Sequence, residues 1–481
     1  MTEHACTTDD ARLGELRREC VALRAAGPHP RRSDVPAAVS AAEWAHVHTL
    51  FQALLALAAD GTSTVAAACT EAQADLCVYV RNAAVADRSN QDGAGAAGVV
   101  RDAAAAVRLA HRLPGAEPCL VAAGQALSNA VTQNQPQQLA LLESELGRSG
   151  AVEETAYWCL IGAESSAART AGLVLLVNSV RSNEVLCRTL CAAGDGRALA
   201  RRVGDMFGES VDDEAEEKEL LFVVLSELIS HGQLGVLLAE AAPLGAPGLL
   251  DALAVHCREH ADPVLHARLA DTELLCALSR VLAATRAVLE RAWADVDSAD
   301  PDGIVAARRC LGSALAALVL LTADMEPGLS ARICECGVVR EVVRLLGLLS
   351  MHLPRAEKVG SGSADGANSG GSVARMFMFK RELVQIIGHA AHENPAAQDL
   401  VRALDGLALV LDHARIDENH PYIREYAVVA LRSLLNGNAA NQAYVDSMDA
   451  RGTTQDPQLA QAGLHARLGA DGRPVVSRHA E

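Results

Sequence analysis

The chain has 481 residues, more than one compact core holds, and half of them are apolar while only 3% are aromatic. This excludes an aromatic-rich β fold and leaves a core of Leu, Val and Ala, of which Leu and Ala are strong helix formers. With 42 Lys and Arg against 60 Asp and Glu the net charge is −18, and the only lysines are Lys218, Lys358 and Lys380. An acidic chain without a basic cluster is a poor candidate for binding phosphate backbones or an anionic membrane surface.

Residues 1–40 are polar, Pro-bearing and aperiodic after Arg24, which predicts one short helix and a loosely ordered lead-in. The first ten residues carry neither a positive segment nor an apolar one, so no signal peptide is expected. Helical periodicity starts at Trp44 and runs through Phe51, Leu54, Leu55 and Leu57. No run of about 20 strongly apolar residues is found, so no membrane span is expected. The uncharged stretch from Cys119 to Leu142 is broken by an Asn-, Gln- and Pro-rich middle. The 13 cysteines are scattered, many of them in apolar helical runs (Cys69, Cys77, Cys159, Cys276, Cys310), which reads as buried free thiols in a reducing, cytoplasmic setting.

A mark then recurs. Val80-Arg81-Asn82-Ala83 is followed by Asp87 and Gln91, five and nine residues past Asn82. Leu127-Ser128-Asn129-Ala130 is followed at the same offsets by Asn134 and Gln138, and Leu176-Val177-Asn178-Ser179 by Asn183 and Cys187. Ile387-Gly388-His389-Ala390 is followed by Asn394 and Gln398, and Leu431-Arg432-Ser433-Leu434 by Asn438 and Gln442. The steps are 47 residues from Asn82 to Asn129, 49 from there to Asn178, and 44 from His389 to Ser433. A period in the forties belongs to α-solenoids of armadillo or HEAT type. The fold expected is all-α, a right-handed armadillo/HEAT-like α-solenoid of about seven or eight repeats. In each mark the Asn at the fifth position is read as the left-handed residue that ends a helix, with the Gln opening the next one. The Asn of the mark itself bonds either a neighbouring repeat or a bound peptide.

A degenerate mark fits at Glu227, 49 residues past Asn178. Two degenerate repeats are expected between 240 and 355, with helices over Glu273–Arg291 and Ala306–Leu321, and a further pair around Gly337. The Gly- and Ser-rich residues 357–373 read as a flexible loop and those after 450 as a disordered tail. The divisions are therefore 1–40 lead-in, 41–356 repeats, 357–373 loop, 374–450 C-terminal domain and 451–481 tail. In the last domain Asp417-Glu418-Asn419-His420-Pro421 precedes a helix over Tyr422–Leu435, with Pro421 in the first turn and Ile423, Tyr426, Val429, Ala430 and Leu434 forming a core stripe.

This domain resembles the C-terminal domain of the ataxin-10 family. The resemblance is carried by Phe379-Lys380-Arg381-Glu382-Leu383-Val384-Gln385-Ile386-Ile387-Gly388-His389-Ala390 and by Asp417 to Ala427, with Asp405-Gly406-Leu407 between them. The family pattern has Asn at His389 and Ser433 and other aromatics at Tyr422 and Tyr426. The resemblance implies an armadillo-like, cytoplasmic, non-enzymatic protein associated in animals with cytokinesis and, loosely in fungi, with copper transport.

Catalytic patterns are not found. There is no Gly-Lys-Ser/Thr loop, zincin motif or nucleophile elbow. His256 and His260 share a helix face with His266 beyond them, yet no further ligand is fixed by spacing. Cys187/Cys191 and Cys334/Cys336 have neither zinc nor redox spacing. The acidic run Asp212 to Glu217 is read as a helix opening. The expectation is an interaction scaffold with no cofactor and no metal, binding other proteins on its concave face or through its C-terminal domain. Asn82, Asn129, Asn178, Arg424 and Arg432 are the candidate contact residues. Alternatives are a chaperone adaptor of Hsp70-exchange type, a karyopherin-like transport adaptor, or a copper-homeostasis protein. The residues four before the mark, Val78, Gln125 and Val174, are not the Trp that binding of a basic nuclear signal needs.

Overall fold

The structure is a computed structural model and describes residues 2–27, 38–85, 87–147, 152–192, 194–209, 215–295, 300–323, 327–353, 374–415, 417, 420, 422–448, 457–461, 463–469 and 474–478. The loop predicted at 357–373, Pro421 and Asp212 to Glu214 lie outside them. Internal contacts divide the chain into two units, residues 1–285 with 305–321, and residues 286–304 with 322–481.

The first unit opens with α1 (Thr2–Ala26), α2 (Ala41–Asp60) and α3 (Ser63–Ala84). Three triplets follow: α4 (Arg88–Ala96), α5 (Val99–His111) and α6 (Glu117–Val131), then α7 (Gln135–Leu146), α8 (Ala156–Ile161) and α9 (Ser166–Val180), then α10 (Glu184–Ala192), α11 (Gly194–Glu209) and α12 (Ala215–Ser230). The third helices stack in order, α3 on α6, α6 on α9 and α9 on α12. Next come α13 (Leu234–Glu240), α14 (Pro247–Glu259), α15 (Pro263–Leu269), and two long helices, α16 (Thr272–Ala294) and α17 (Pro301–Leu321), whose sequences cross between the units. In the second unit α18 (Pro327–Glu335), α19 (Val338–His352) and α20 (Lys380–Ala391) form one triplet, and α21 (Pro395–Ala403), α22 (Gly406–His413) and α23 (Ile423–Leu435) another. α20 packs on α23, as the third helices do in the first unit. α24 (Ala439–Asp446) follows, then α25 (Pro457–Gln461) and an antiparallel hairpin of β1 (Leu464–Leu468) and β2 (Pro474–Arg478).

The triplet turns are built alike. A left-handed residue separates the first helix from the second at Gly98 (φ 86°), Gly337 (φ 80°) and Asp405 (φ 60°), where glycine carries no steric penalty. The third helices α6 and α9 present their apolar residues on both flanks, because each is sandwiched between two other third helices. Leu127, Leu173, Leu176, Ile387 and Leu434 are all fully buried.

Several sequence expectations change. α1 is a 25-residue helix, set on α3 by Leu13 and Cys20 seven residues apart and by ion pairs from Arg17 to Glu71 and Arg24 to Asp75. The segment after 450 is not unstructured, since it carries α25 and the β hairpin. Packing divides the described residues near 285 and 321. The helix predicted from Tyr422 starts at Ile423.

α17 is long and apolar enough to cross a membrane on length and composition, with mean hydropathy 1.8 over its window, which the sequence reading overlooked. Half of that window is buried in the protein. Two of its polar side chains bond α14, where Asp251 accepts from Arg309 Nε at 2.9 Å and also from Ser313. It is a core helix.

Candidate functional site

The mark is a hydrogen-bonded ladder between repeats. The residue five past it is not left-handed; it is the N-cap of the next first helix. Asn134 accepts from Gln137 N at 3.3 Å, Asn183 from Leu186 N at 3.2 Å, Asn394 from Ala397 N at 3.2 Å and Asn438 from Asn441 N at 2.9 Å. The left-handed residue sits one position earlier, at Gln133 (φ 55°), Ser182 (φ 54°), Glu393 (φ 50°) and Gly437 (φ 70°). The same turn places Gly232 (φ 69°) four past Leu228, which moves the degenerate mark from Glu227 to Leu228.

Three of these N-cap amides donate backwards to the glutamine of the previous repeat, while Asn394 Nδ2 donates to Ser330 Oγ and to Cys334 Sγ at 3.8 Å. Asn134 Nδ2 reaches Gln91 Oε1 at 3.1 Å, Asn183 reaches Gln138 at 2.8 Å and Asn438 reaches Gln398 at 3.1 Å. Each glutamine donates forwards to carbonyls at the end of the next third helix. Gln91 Nε2 meets Asn129 O at 2.8 Å and Thr132 O at 3.3 Å, Gln138 meets Asn178 O at 2.7 Å, and Gln398 meets Ser433 O at 2.9 Å and Asn436 O at 3.2 Å. These carbonyls are helix-end acceptors left over by the helix itself. Where Cys187 replaces Gln, its thiol keeps one bond of the set, to Val180 O at 3.6 Å.

The candidate contact residues divide accordingly. Asn82 is buried and accepts from Arg81 Nε at 3.1 Å. Asn129 Nδ2 donates to Arg81 O at 2.9 Å, and Asn178 Nδ2 donates to Ser128 Oγ at 2.8 Å and Thr132 Oγ1 at 3.0 Å. The amides of Asn129 and Asn178 are thus spent between repeats. Arg424 and Arg432 are exposed on α23, in the other unit. The structure brings the three asparagines onto one row of third helices and does not group the two arginines with them.

That row carries a cleft of about 600 Å³ across α3, α6, α9 and the start of α12. Its lining includes Arg81, Val121, Gln125, Thr170, Val174 and Glu216. Arg81 Nη1 donates to Gln125 Oε1 at 2.8 Å, and burial followed by the nearby Arg24 charge lowers the Arg81 pKa from its usual value. Gln125 and Val174 stand where an importin-type groove has tryptophan. Arg81, Val121 and Thr170 were not singled out from sequence; their only signal was a third-helix position one, eight and eight residues ahead of a mark. The acidic run contributes Glu216 to this lining, whereas Glu217 is buried under Arg169.

The other candidate clusters are structural. Burial pushes the Cys20, Cys187, Cys191 and Cys257 thiols up to about 12, which keeps them protonated and poor as nucleophiles or ligands. Cys276, Cys334 and Cys336 are only half-buried. Among the described residues no group of three or more His, Cys, Asp or Glu could hold a metal ion.

His256 is fully buried with Nδ1 at 2.8 Å from Ser226 Oγ, and its ring lies edge-on to His260. Burial first, then His260 and His266, drives its pKa down from 6.5 to about 4. Between those values the unfolded chain binds a proton that the folded one does not, so stability is full above pH 6.5 and is lost as pH falls towards 4. The expected loss is roughly 2–3 kcal/mol, and His256→Gln removes it. Urea unfolding at pH 7 and pH 4.5 checks this, and an unchanged pH slope in the variant refutes it.

The stacked three-helix repeats and the ladder define the class: the chain is an armadillo-type α-solenoid. Residues 379–477 match the spinocerebellar ataxia type 10 protein domain, so the C-terminal part of the chain is similar to that of the ataxin-10 proteins. It is 36% identical over 94 residues to the Ataxin-10 homolog of Dictyostelium discoideum, covering 20% of this chain and 15% of that relative. It is 39% identical over 88 residues to Ataxin-10 of Xenopus tropicalis, covering 18% of each chain. The chain therefore spans less than a fifth of the length of these curated relatives. A crystal structure of SYS-1 aligns over 87% of this chain and 67% of its own, with 13% identity and a TM-score of 0.34.

Proposed function

We propose that the chain is a non-enzymatic protein-interaction scaffold, working in the cytoplasm in cell division and cytokinesis. The observation that carries the scaffold reading is the cleft across α3, α6, α9 and α12. Four successive repeats contribute side chains to it, and the ladder has already satisfied the backbone ends beneath. Its lining mixes a guanidinium, two valines, carboxamides, hydroxyls and a carboxylate, which suits an extended peptide: apolar side chains against Val121 and Val174, backbone amides against Gln125. The cytokinesis and cytoplasmic assignments rest on the family resemblance.

The test is a proximity-labelling comparison in the native cells between the wild-type chain and Val121→Arg/Val174→Arg. Both residues are only partly buried, so the fold should survive, as circular dichroism can check. Loss of a specific partner set in the variant, including cell-division proteins, is the expected result. An unchanged set removes the cleft from the account.

A further inference from the structure

We propose that the free flank of α23 is a docking site for an amphipathic helix of a second protein, which takes the place a following third helix would hold. This site lies in the second unit, apart from the cleft above, and does not depend on it. Two independent observations point to it.

The first is a buried position laid bare. Five residues before the marks at Asn82, Asn178 and His389, the third-helix residue is fully buried. Cys77, Leu173 and Val384 at this position are all 0% exposed, while Val428 is 53% exposed. Beside it Val429 is 61% and Tyr422 68% exposed. The sequence reading placed Val429 in the core; it is exposed because, among the described residues, α23 has a third-helix neighbour on one flank only.

The second is an unfinished ladder. Gln442 holds the place of Gln91 and Gln398, and its Nε2 makes the bond to its own repeat, to Leu435 O at 2.8 Å. Gln398 makes that bond to Ala391 O and adds two carbonyls of the next third helix; Gln442 is exposed and its forward acceptors are not supplied.

The repeats also say what fits. Arg432 holds the place of Arg81, which donates to Gln125 on the helix α6 that covers it. Arg424 and Arg432 make no ion pair among the described residues, so charge complementarity favours a carboxylate in the place of Gln125. The occupant is thus a helix with small apolar residues on one stripe, a Glu opposite Arg432, and a free last turn whose carbonyls meet Gln442.

The probe is a fluorescent peptide of residues 117–133, the α6 segment, carrying Cys119→Ala and Gln125→Glu, with a Gln125→Lys peptide beside it. Anisotropy titrations use the full chain. The Glu peptide should bind saturably, and the Lys peptide at least tenfold more weakly. Arg432→Glu in the chain should reverse that order, and Val428→Asp should weaken the Glu peptide at least tenfold. Both substitutions are at exposed sites, so circular dichroism should match wild type. Equal binding of the two peptides, no saturation, or indifference to both chain variants overturns the proposal. A photo-reactive benzoylphenylalanine at position 428 then reads the occupant. A peptide adduct supports the proposal; a cross-link to residues 449–481 of the same chain, or to a second copy, overturns it.

Discussion

Gln398→Ala lowers the stability of the interface between the last two repeats by about 3 kcal/mol, whereas Gln442→Ala, the same substitution one repeat later, costs about 0.5 kcal/mol or less. Gln398 is 1% exposed, and its amide donates to three carbonyls and accepts from Asn438. Alanine leaves those groups buried without partners, and an orphaned buried polar group costs about 1–3 kcal/mol. The three carbonyls share one donor group, so their losses overlap and the total stays near the top of that range. Gln442 is exposed, and water replaces its single bond. In a solenoid such a loss acts on one interface, since each repeat contacts only its neighbours. Hydrogen exchange should accordingly quicken by about two orders of magnitude in α21–α23 and stay unchanged in α3–α9. Uniform quickening across both units, or equal effects of the two substitutions, would contradict the ladder.

The ladder shows what was legible. Spacing alone located the helix ends at Asn82, Asn129, Asn178, His389 and Ser433, because a bond set between repeats recurs at fixed offsets. Spacing could not assign the conformations. Both the fourth and fifth residues past a mark lie in the same tight turn, and Asn suits either a left-handed position or an N-cap. The actual left-handed residues include Gln133, Ser182 and Glu393, types that are not enriched in the left-handed region. In the middle of the chain the helices were legible but the period was not: the expected helices Glu273–Arg291 and Ala306–Leu321 fall within α16 and α17, yet these long helices carry no mark of the kind at Asn129. The candidate surface was half legible. Gln125 and Val174 came from the comparison with a peptide groove, but a list of positions does not reveal which asparagines are already bonded. Val429 teaches the converse, since an apolar stripe tells which residues need burial and not whether a neighbour is there to bury them.

Arg169→Ala is the substitution expected to cost most, about 3–5 kcal/mol. Arg169 on α9 holds Glu217 on α12 with two nitrogens, Nε at 2.9 Å and Nη2 at 3.1 Å, and Ser166 Oγ donates to the same carboxylate at 2.6 Å. The Glu217 side chain is 5% exposed and that of Arg169 20%, so this pair has left water, unlike the surface pairs Arg188–Glu184 or Arg112–Glu154. Removing the guanidinium strands a carboxylate whose remaining partner among the described residues is the Ser166 hydroxyl. Arg188→Ala, by contrast, costs under about 0.5 kcal/mol, because an exposed pair at four-residue spacing gains little over water. The double variant Arg169→Met/Glu217→Leu separates two meanings of the result. If the cost of Arg169→Ala is the penalty of an uncompensated buried charge, the double variant recovers most of it, since apolar side chains of similar size need no partner. If the bidentate contact itself couples α9 to α12, the double variant remains as unstable as the single one. The first outcome is expected, from a double-mutant cycle read by urea unfolding of the full chain. The residual loss left in the double variant then measures how far the ion pair, rather than the apolar stacking of third helices, holds these two repeats in register.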